Sequence, residues 1–253
     1  LYQDMKDFPK ALEYYKKSLA VKETLADKPG IASLVHQMGN VNFVAGKLDE
    51  ACSMYRQSLK IKEEIDDRKG AGYSLGQLGL IYQRKGDIEE ALRYYEKSLE
   101  NFEKADEQKG IAASHHQIGR IHESKGDRDK ALTHYEKALE LREKTGDMLG
   151  AAITYGQLGM LYYQKEEYET ALRYSTQAYA IFSRYGSPNV DLARNNMLRI
   201  REKVPKEKFN EILNQFGIKT EAAPSREKKE NAEPSDKPGE GEPKDKTNQE
   251  EKT

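Results

Sequence analysis

The chain has 253 residues, 36% hydrophobic and 34% charged, an apolar share too thin for one compact core and suited to an elongated helical array. Lys and Arg (42) nearly balance Asp and Glu (43), so no net field draws the chain to nucleic acid or to an acidic membrane surface. No apolar run approaches the ~20 residues that cross a bilayer, so membrane insertion is not expected.

In chain order, the first apolar-periodic stretch runs from about Asp7 to Leu25 and reads as a helix, with Leu1 and Tyr2 in register with the end of a helix before it. Residues 1–29 are therefore a partial first unit, mainly its second helix, whose uncovered face points to a natural protein that continues upstream. Full units follow at 30–69, 70–109, 110–149 and 150–187. Ala11, Ala51, Ala91, Ala131 and Ala171 recur every 40 residues, as do Gly39, Gly79, Gly119 and Gly159, and Gly30, Gly70, Gly110 and Gly150. Three series in one register mark a solenoid of repeated helical hairpins.

Within a unit, Leu75, Leu78, Gly79 and Tyr82 share one helical stripe, the buried face of a first helix, A. Ala91, Tyr95, Ser98, Leu99 and Phe102 form the matching stripe of a second helix, B. Gly79 and Ala91 are small enough to let the two backbones approach closely. Gly46, Gly86 and Gly126 fall where a helix end needs a left-handed residue; Asp87 and Asp127 follow as N-caps, Asp87 with Glu90 as a capping box. Glu166 replaces the turn glycine in the last full unit, which predicts a looser or differently closed turn there.

These positions resemble the tetratricopeptide repeat family, whose pattern runs Trp-x2-Leu-Gly-x2-Tyr and then Ala-x3-Phe-x2-Ala. Here it reads Leu75, Leu78, Gly79, Tyr82, Ala91, Tyr95 and Ser98, and again Tyr155, Leu158, Gly159, Tyr162, Ala171, Ser175 and Ala178. The resemblance covers roughly Leu1 to Val204. The closing proline is missing and the unit is 40 residues long, a lengthened form similar to that of signalling and polarity scaffolds and of bacterial regulators. It implies an all-α superhelix whose inner surface, on the A helices opposite the packing stripe, holds an extended or helical peptide of a partner protein. That face takes Ser33, His36, Gln37, Asn40 and Phe43, then Tyr73, Gly76, Gln77, Leu80, Gln83 and Arg84. It continues with His116, Gln117, Arg120, Glu123 and Ser124, and with Ile153, Gly156, Gln157, Met160, Tyr163 and Gln164. Gln37, Gln77, Gln117 and Gln157 form a ladder whose amides offer both donors and acceptors to a peptide backbone. With His36, Gly76, His116 and Gly156 at one of the positions where family members clamp a terminal carboxylate with Lys and Arg, such a clamp is not expected.

Past the last unit, residues 188–204 read as a capping helix, with Ser187 as N-cap, Pro188 in the first turn and Val190, Ala193, Met197, Ile200 and Val204 on one stripe. Residues 205–217 read as a short amphipathic helix carrying Phe209, Ile212, Leu213 and Phe216 and ending at Gly217. It is a final lid on the array or a detachable docking motif for a groove. Residues 218–253 are almost devoid of apolar side chains and are expected to be disordered.

Chemistry is sparse. His115, His116 and His122 lack the spacing that sets two ligands side by side on a helix, so no metal is expected; His115 and His122 fall at packing positions, with titration near neutral pH open to them. Cys52, the single cysteine, takes a slot held elsewhere by Leu12, Leu92, Leu132 and Leu172, and reads as a packed thiol. There is no phosphate loop, zinc-protease helix or nucleophile elbow, so neither catalysis nor a cofactor is expected. The expected function is a protein–protein interaction scaffold. The alternative is a regulatory or sensor module of a larger signalling protein or enzyme, and self-association through the first hairpin or the 209–216 helix is a further expectation. A cytoplasmic location is expected, any targeting segment belonging to the upstream part.

Overall fold

The computed structural model describes residues 7–218. Leu1, Tyr2 and the charged segment beyond Ile218 lie outside the described residues. Helix α1 (Phe8–Thr24) is followed by four hairpins, each an A helix and a B helix. These are α2 (Lys28–Val44) with α3 (Leu48–Glu64), α4 (Arg68–Arg84) with α5 (Ile88–Lys104), α6 (Gln108–Ser124) with α7 (Arg128–Lys144), and α8 (Met148–Gln164) with α9 (Tyr168–Arg184). Helices α10 (Val190–Arg201) and α11 (Lys206–Gln215) close the array. From α1 to α10 each helix packs on its chain neighbours, α4 also touches α6 and α10 touches α8, while α11 packs back on α9.

Each A helix begins two residues ahead of the glycine series at 30, 70, 110 and 150, and the capping chemistry explains that series. Asp27, Asp67 and Asp147 accept hydrogen bonds from the backbone N–H of Gly30 (2.9 Å), Gly70 (2.8 Å) and Gly150 (3.0 Å). The cap carboxylate folds over the glycine so closely that a Cβ at Gly70 would lie 2.0 Å from Asp67 Oδ2. At Gly110 the cap residue is Glu107, which makes no such bond, and the Phe102 ring occupies the space instead, 2.4 Å from where a Cβ would stand.

The capping box at α5 forms only in half. Asp87 accepts from Glu90 N–H (3.2 Å), but the Glu90 carboxylate holds Arg93 (2.7 Å) instead of reaching back. Asp127 stands at the N-cap of α7 without a capping bond; its carboxylate leans toward His122 Nδ1 at 3.4 Å. Helix α10 starts later than its sequence suggests, with Asn189 at the N-cap and Pro188 before the helix; the Ser187 hydroxyl accepts from Asn189 N–H (3.3 Å) in the turn that leads into it.

The turn at Glu166 corrects the expectation of a looser closure. Glu166 adopts φ 63°, and the N–H groups of Glu166 and Glu167 donate to Tyr163 (3.1 Å) and Tyr162 (3.0 Å). Gly86 and Asp87 make the same two bonds, to Gln83 (3.1 Å) and Tyr82 (3.0 Å). The turn's hydrogen bonds hold a non-glycine residue in the left-handed region at a cost of about 1 kcal/mol.

Glycines on the A stripe make room for a ring more than for a backbone. A Cβ at Gly39, Gly79 or Gly119 would meet the ring of Tyr55, Tyr95 or Tyr135 at 2.7–2.8 Å. At Gly159, opposite Ser175, no ring intervenes and the B-helix backbone comes close, with Ala171 O and Ser175 N at 3.2 Å. The aligned alanines Ala11, Ala51, Ala91, Ala131 and Ala171 are all buried. At the C-terminal end Phe209, Ile212 and Leu213 are fully buried on Leu172, Met197 and Ile200, so α11 is the lid of the array.

Candidate partner-binding face

The A helices α2, α4, α6 and α8 carry one face away from their packing stripe, and the glutamine ladder lies along it with all four side chains half-buried. Gln37 accepts from Asn40 Nδ2 (3.1 Å), and Asn40 in turn accepts from the Tyr55 hydroxyl (2.7 Å). Gln117 accepts from Arg120 (3.3 Å). Arg84 lies across the Phe43 ring at 4.0 Å, a cation–π contact between neighbouring repeats. Tyr73 is exposed and meets Phe102 edge-on at 4.9 Å between ring centres. Tyr163 is half-buried against Tyr168, and Arg199 of α10 sits over its ring at 5.5 Å.

One expected face residue is not available to a partner. His116 is only 6% exposed, with its Nδ1 3.4 Å from Thr154 Oγ1 on the next A helix and its ring tilted on Tyr135. Counting round the helix places its Cα on the open face, but the side chain bends into the gap between repeats. His36 does the same, its Nδ1 3.1 Å from Ser74 Oγ. Burial, then the charge of Lys62, depresses His36 to about 4; burial, then Arg142 and Arg120, depresses His116 to about 3.

Each of these histidines belongs to a polar layer that single-unit reading misses. Lys62 is buried and donates to Gly70 O (3.1 Å) and Ser74 Oγ (3.0 Å). Arg142, equally buried, donates to Gly150 O (2.7 Å) and Thr154 Oγ1 (2.5 Å). At the two other junctions the corresponding B-helix positions are Phe102 and Phe182, and the A-helix positions are Gly76 and Gly156. The array thus alternates with a period of two repeats, legible in the sequence as His36 and His116, Lys62 and Arg142, Gly76 and Gly156, and Phe102 and Phe182, each pair 80 residues apart.

Where glycine replaces histidine, the face is hollow. A cavity of about 250 Å³ opens between Tyr73, Gly76, Gln77 and Leu80 of α4, over Phe102 and against α6. A second, also about 250 Å³, opens between Ile153, Gly156, Gln157 and Met160 of α8, over Phe182 and against α10. The docking-helix residues Phe209, Ile212 and Leu213 are part of the array's own core, with Phe216 packed at its edge, and offer no free apolar face for docking or self-association.

The remaining histidines form a cluster that sequence spacing does not reveal, because its third member, His134, comes from α7. His115 Nδ1 and His134 Nδ1 lie 3.0 Å apart, and His122 stacks on His134 at 5.6 Å. Burial lowers His115 and brings His134 to about 4, which moves both away from neutral titration. Among the described residues no group of three or more His, Cys, Asp or Glu side chains could hold a metal ion. Cys52 is buried, and no described helix is long and apolar enough to cross a membrane.

A family model for the tetratricopeptide repeat matches residues 30–104 and 110–184. Among solved structures, the fold is similar to that of BtubC from P. vanneervenii, at 18% identity over 83% of this chain and 89% of that one, with a TM-score of 0.69. It is also similar to part of a signal transduction ATPase with numerous domains and a tetratricopeptide repeat sensor, from Pyrococcus horikoshii. That match has 22% identity and a TM-score of 0.67 over 82% of this chain but 32% of the larger one. Aspartyl phosphate phosphatase F from Bacillus subtilis matches at 16% identity and a TM-score of 0.59, over 80% of this chain and 56% of that one. No curated protein matches. These structural likenesses concern the fold, and the family model spans more than half of the sequence: the chain belongs to the tetratricopeptide repeat family.

Proposed function

We propose that the chain is a non-catalytic interaction scaffold that holds a peptide or helix of a partner protein along the face of α2, α4, α6 and α8. The observation that carries this reading is the ladder of Gln37, Gln77, Gln117 and Gln157, half-exposed at one position of four successive A helices whose opposite stripe is buried. Amides so placed pair with the N–H and C=O groups of a bound backbone whatever its sequence, leaving selectivity to the residues that differ between units. Tyr73, Arg84, Arg120 and Tyr163 are those residues. Protein binding is the general role of this repeat fold, and its extended surface needs no further domain to serve that role.

The test replaces Gln77 and Gln117 together by Ala and compares quantitative affinity capture with the unaltered chain, with helical content followed by circular dichroism. At least one captured protein should fall tenfold or more while helicity is unchanged. Capture of every partner at the original level would show that partners dock elsewhere.

A further inference from the structure

The two cavities on the A-helix face are equivalent sites two repeats apart, and the junctions that alternate with them, α2–α4 and α6–α8, are closed by side chains. At α4 and α8 a glycine, Gly76 or Gly156, leaves the wall open above a buried phenylalanine. At α2 and α6 a histidine fills the same place and a buried cation, Lys62 or Arg142, replaces the phenylalanine. A cavity of about 250 Å³ is small for a metabolite but ample for one side chain, since an apolar cavity of about 150 Å³ accepts a benzene ring.

Charge adds a second constraint. Lys109 lines the first cavity, and no acidic side chain lines either one. Arg84 and Arg120 are exposed one turn along from the lining residues Leu80 and Gln117, and Arg120 stands on α6, between the cavities. The nearby carboxylates are engaged: Glu123 accepts from the Tyr135 hydroxyl (2.7 Å), and Glu107 pairs with Lys69 (2.5 Å).

We infer that the face binds an extended, acidic segment of a partner protein through two large apolar side chains, one in each cavity, with a carboxylate between them over Arg120. Neighbouring A helices stack about 10 Å apart, so the cavities lie roughly 20 Å apart, a distance an extended strand covers in about six residues. The chain's own segment after Ile218 has no Val, Ile, Leu, Met, Phe, Tyr or Trp and so cannot supply the anchors. This inference rests on the proposed binding face and adds a spacing and a charge to it.

Fluorescein-labelled ten-residue peptides of Gly, Ser and Asp, with Phe at positions two and eight, test it by anisotropy on the full chain. Comparison peptides carry one Phe, two Phe three residues apart, or Lys in place of Asp. The two-anchor acidic peptide should bind at least tenfold tighter than the others. Gly76→Leu and Gly156→Leu should each reduce it to the one-anchor level without lowering the melting temperature. The backbone has room for a side chain at both positions, since a Cβ at Gly76 meets only Ser98 Oγ at 3.4 Å and one at Gly156 meets nothing within 4 Å, and the unchanged melting temperature checks that the leucines fit. Equal binding of one- and two-anchor peptides, indifference to the leucines, or no binding of any peptide would overturn the two-cavity inference. If spacing and leucines have no effect but Gln77→Ala with Gln117→Ala abolishes binding, the face assignment stands and only the anchors fall. Binding that neither set of variants moves would remove both.

Discussion

The junction between the first and second full repeats and the junction between the second and third share one backbone plan but are held by opposite chemistry. In the first, Lys62 from α3 reaches Gly70 O and Ser74 on α4, with His36 of α2 completing the layer. In the second, Phe102 from α5 lies against Gly72 and Gly110, and the space beside Gly76 stays empty. A buried polar layer must be satisfied in full, so it has no room left for a ligand. An apolar junction with a void is less completely packed, and the void is where a partner's side chain can recover the missing contacts. Within this array, one kind of junction fixes the stacking and the other keeps a place open.

The largest effect should come from the apolar junction. Phe102→Ala would enlarge an existing cavity and remove a ring that is 3% exposed, at a cost of about 3–5 kcal/mol. Arg142→Met at the polar junction should cost under about 2 kcal/mol, because desolvation of the cation is relieved and Thr154 Oγ1 already donates to Gly150 O at 3.2 Å. Urea unfolding followed by circular dichroism checks the ranking. Equal losses would mean that the polar layer contributes as much as the ring, and the contrast between junctions would collapse.

Acid should act on the polar junctions, and also on the His115–His134 contact between α6 and α7, where burial likewise depresses both histidines. His36 and His116 are neutral in the folded chain, with pKa values depressed to about 4 and about 3, while the unfolded chain takes up protons near 6.5. The unfolded state therefore binds more protons in the window between, so stability is complete above about pH 7 and declines as pH falls through 6.5 toward 4. From pH 7.5 to 5 each histidine should remove about 2 kcal/mol. His116→Gln keeps a hydrogen-bonding group without a titration and should remove one histidine's share of that slope. An unchanged difference between urea curves at the two pH values would place the titration elsewhere.

The 40-residue register of glycine and alanine already contains the four full hairpins, and the apolar stripes read within and after it contain the buried faces and the helix that follows the last hairpin. The register does not contain the alternation, although the residues for it are equally visible, because comparing every unit with every other averages a two-unit period away. His116 shows a second limit. Helical angle alone places its Cα on the open face, yet a long side chain between two repeats turns toward whichever hydrogen-bond partner lies there, here Thr154. His134 shows a third, since its contact with His115 depends on how α7 crosses α6. Glu166 shows that backbone hydrogen bonds can impose a left-handed turn whose residue does not announce it.

The finest contrast lies within one helix. Gly76 and Gly79 are both interior to α4, where replacing glycine by alanine ordinarily gains about 1 kcal/mol of helix propensity. At Gly76 nothing opposes that gain, so Gly76→Ala should stabilise by about 0.5–1 kcal/mol while narrowing the first cavity. At Gly79 the new methyl would stand 2.8 Å from the Tyr95 ring, whose hydroxyl is held by Gln83 at 3.0 Å and so resists displacement. Overpacking there should exceed the propensity gain and leave Gly79→Ala destabilised by about 1–2 kcal/mol. Opposite signs in thermal melts of the two variants would separate a glycine kept for packing from one whose retention packing does not explain. If both stabilise, Tyr95 moves aside easily and close packing is not what holds Gly79. If both destabilise, the space beside Gly76 is filled from within the chain, and the wall of the first cavity is not open to a partner.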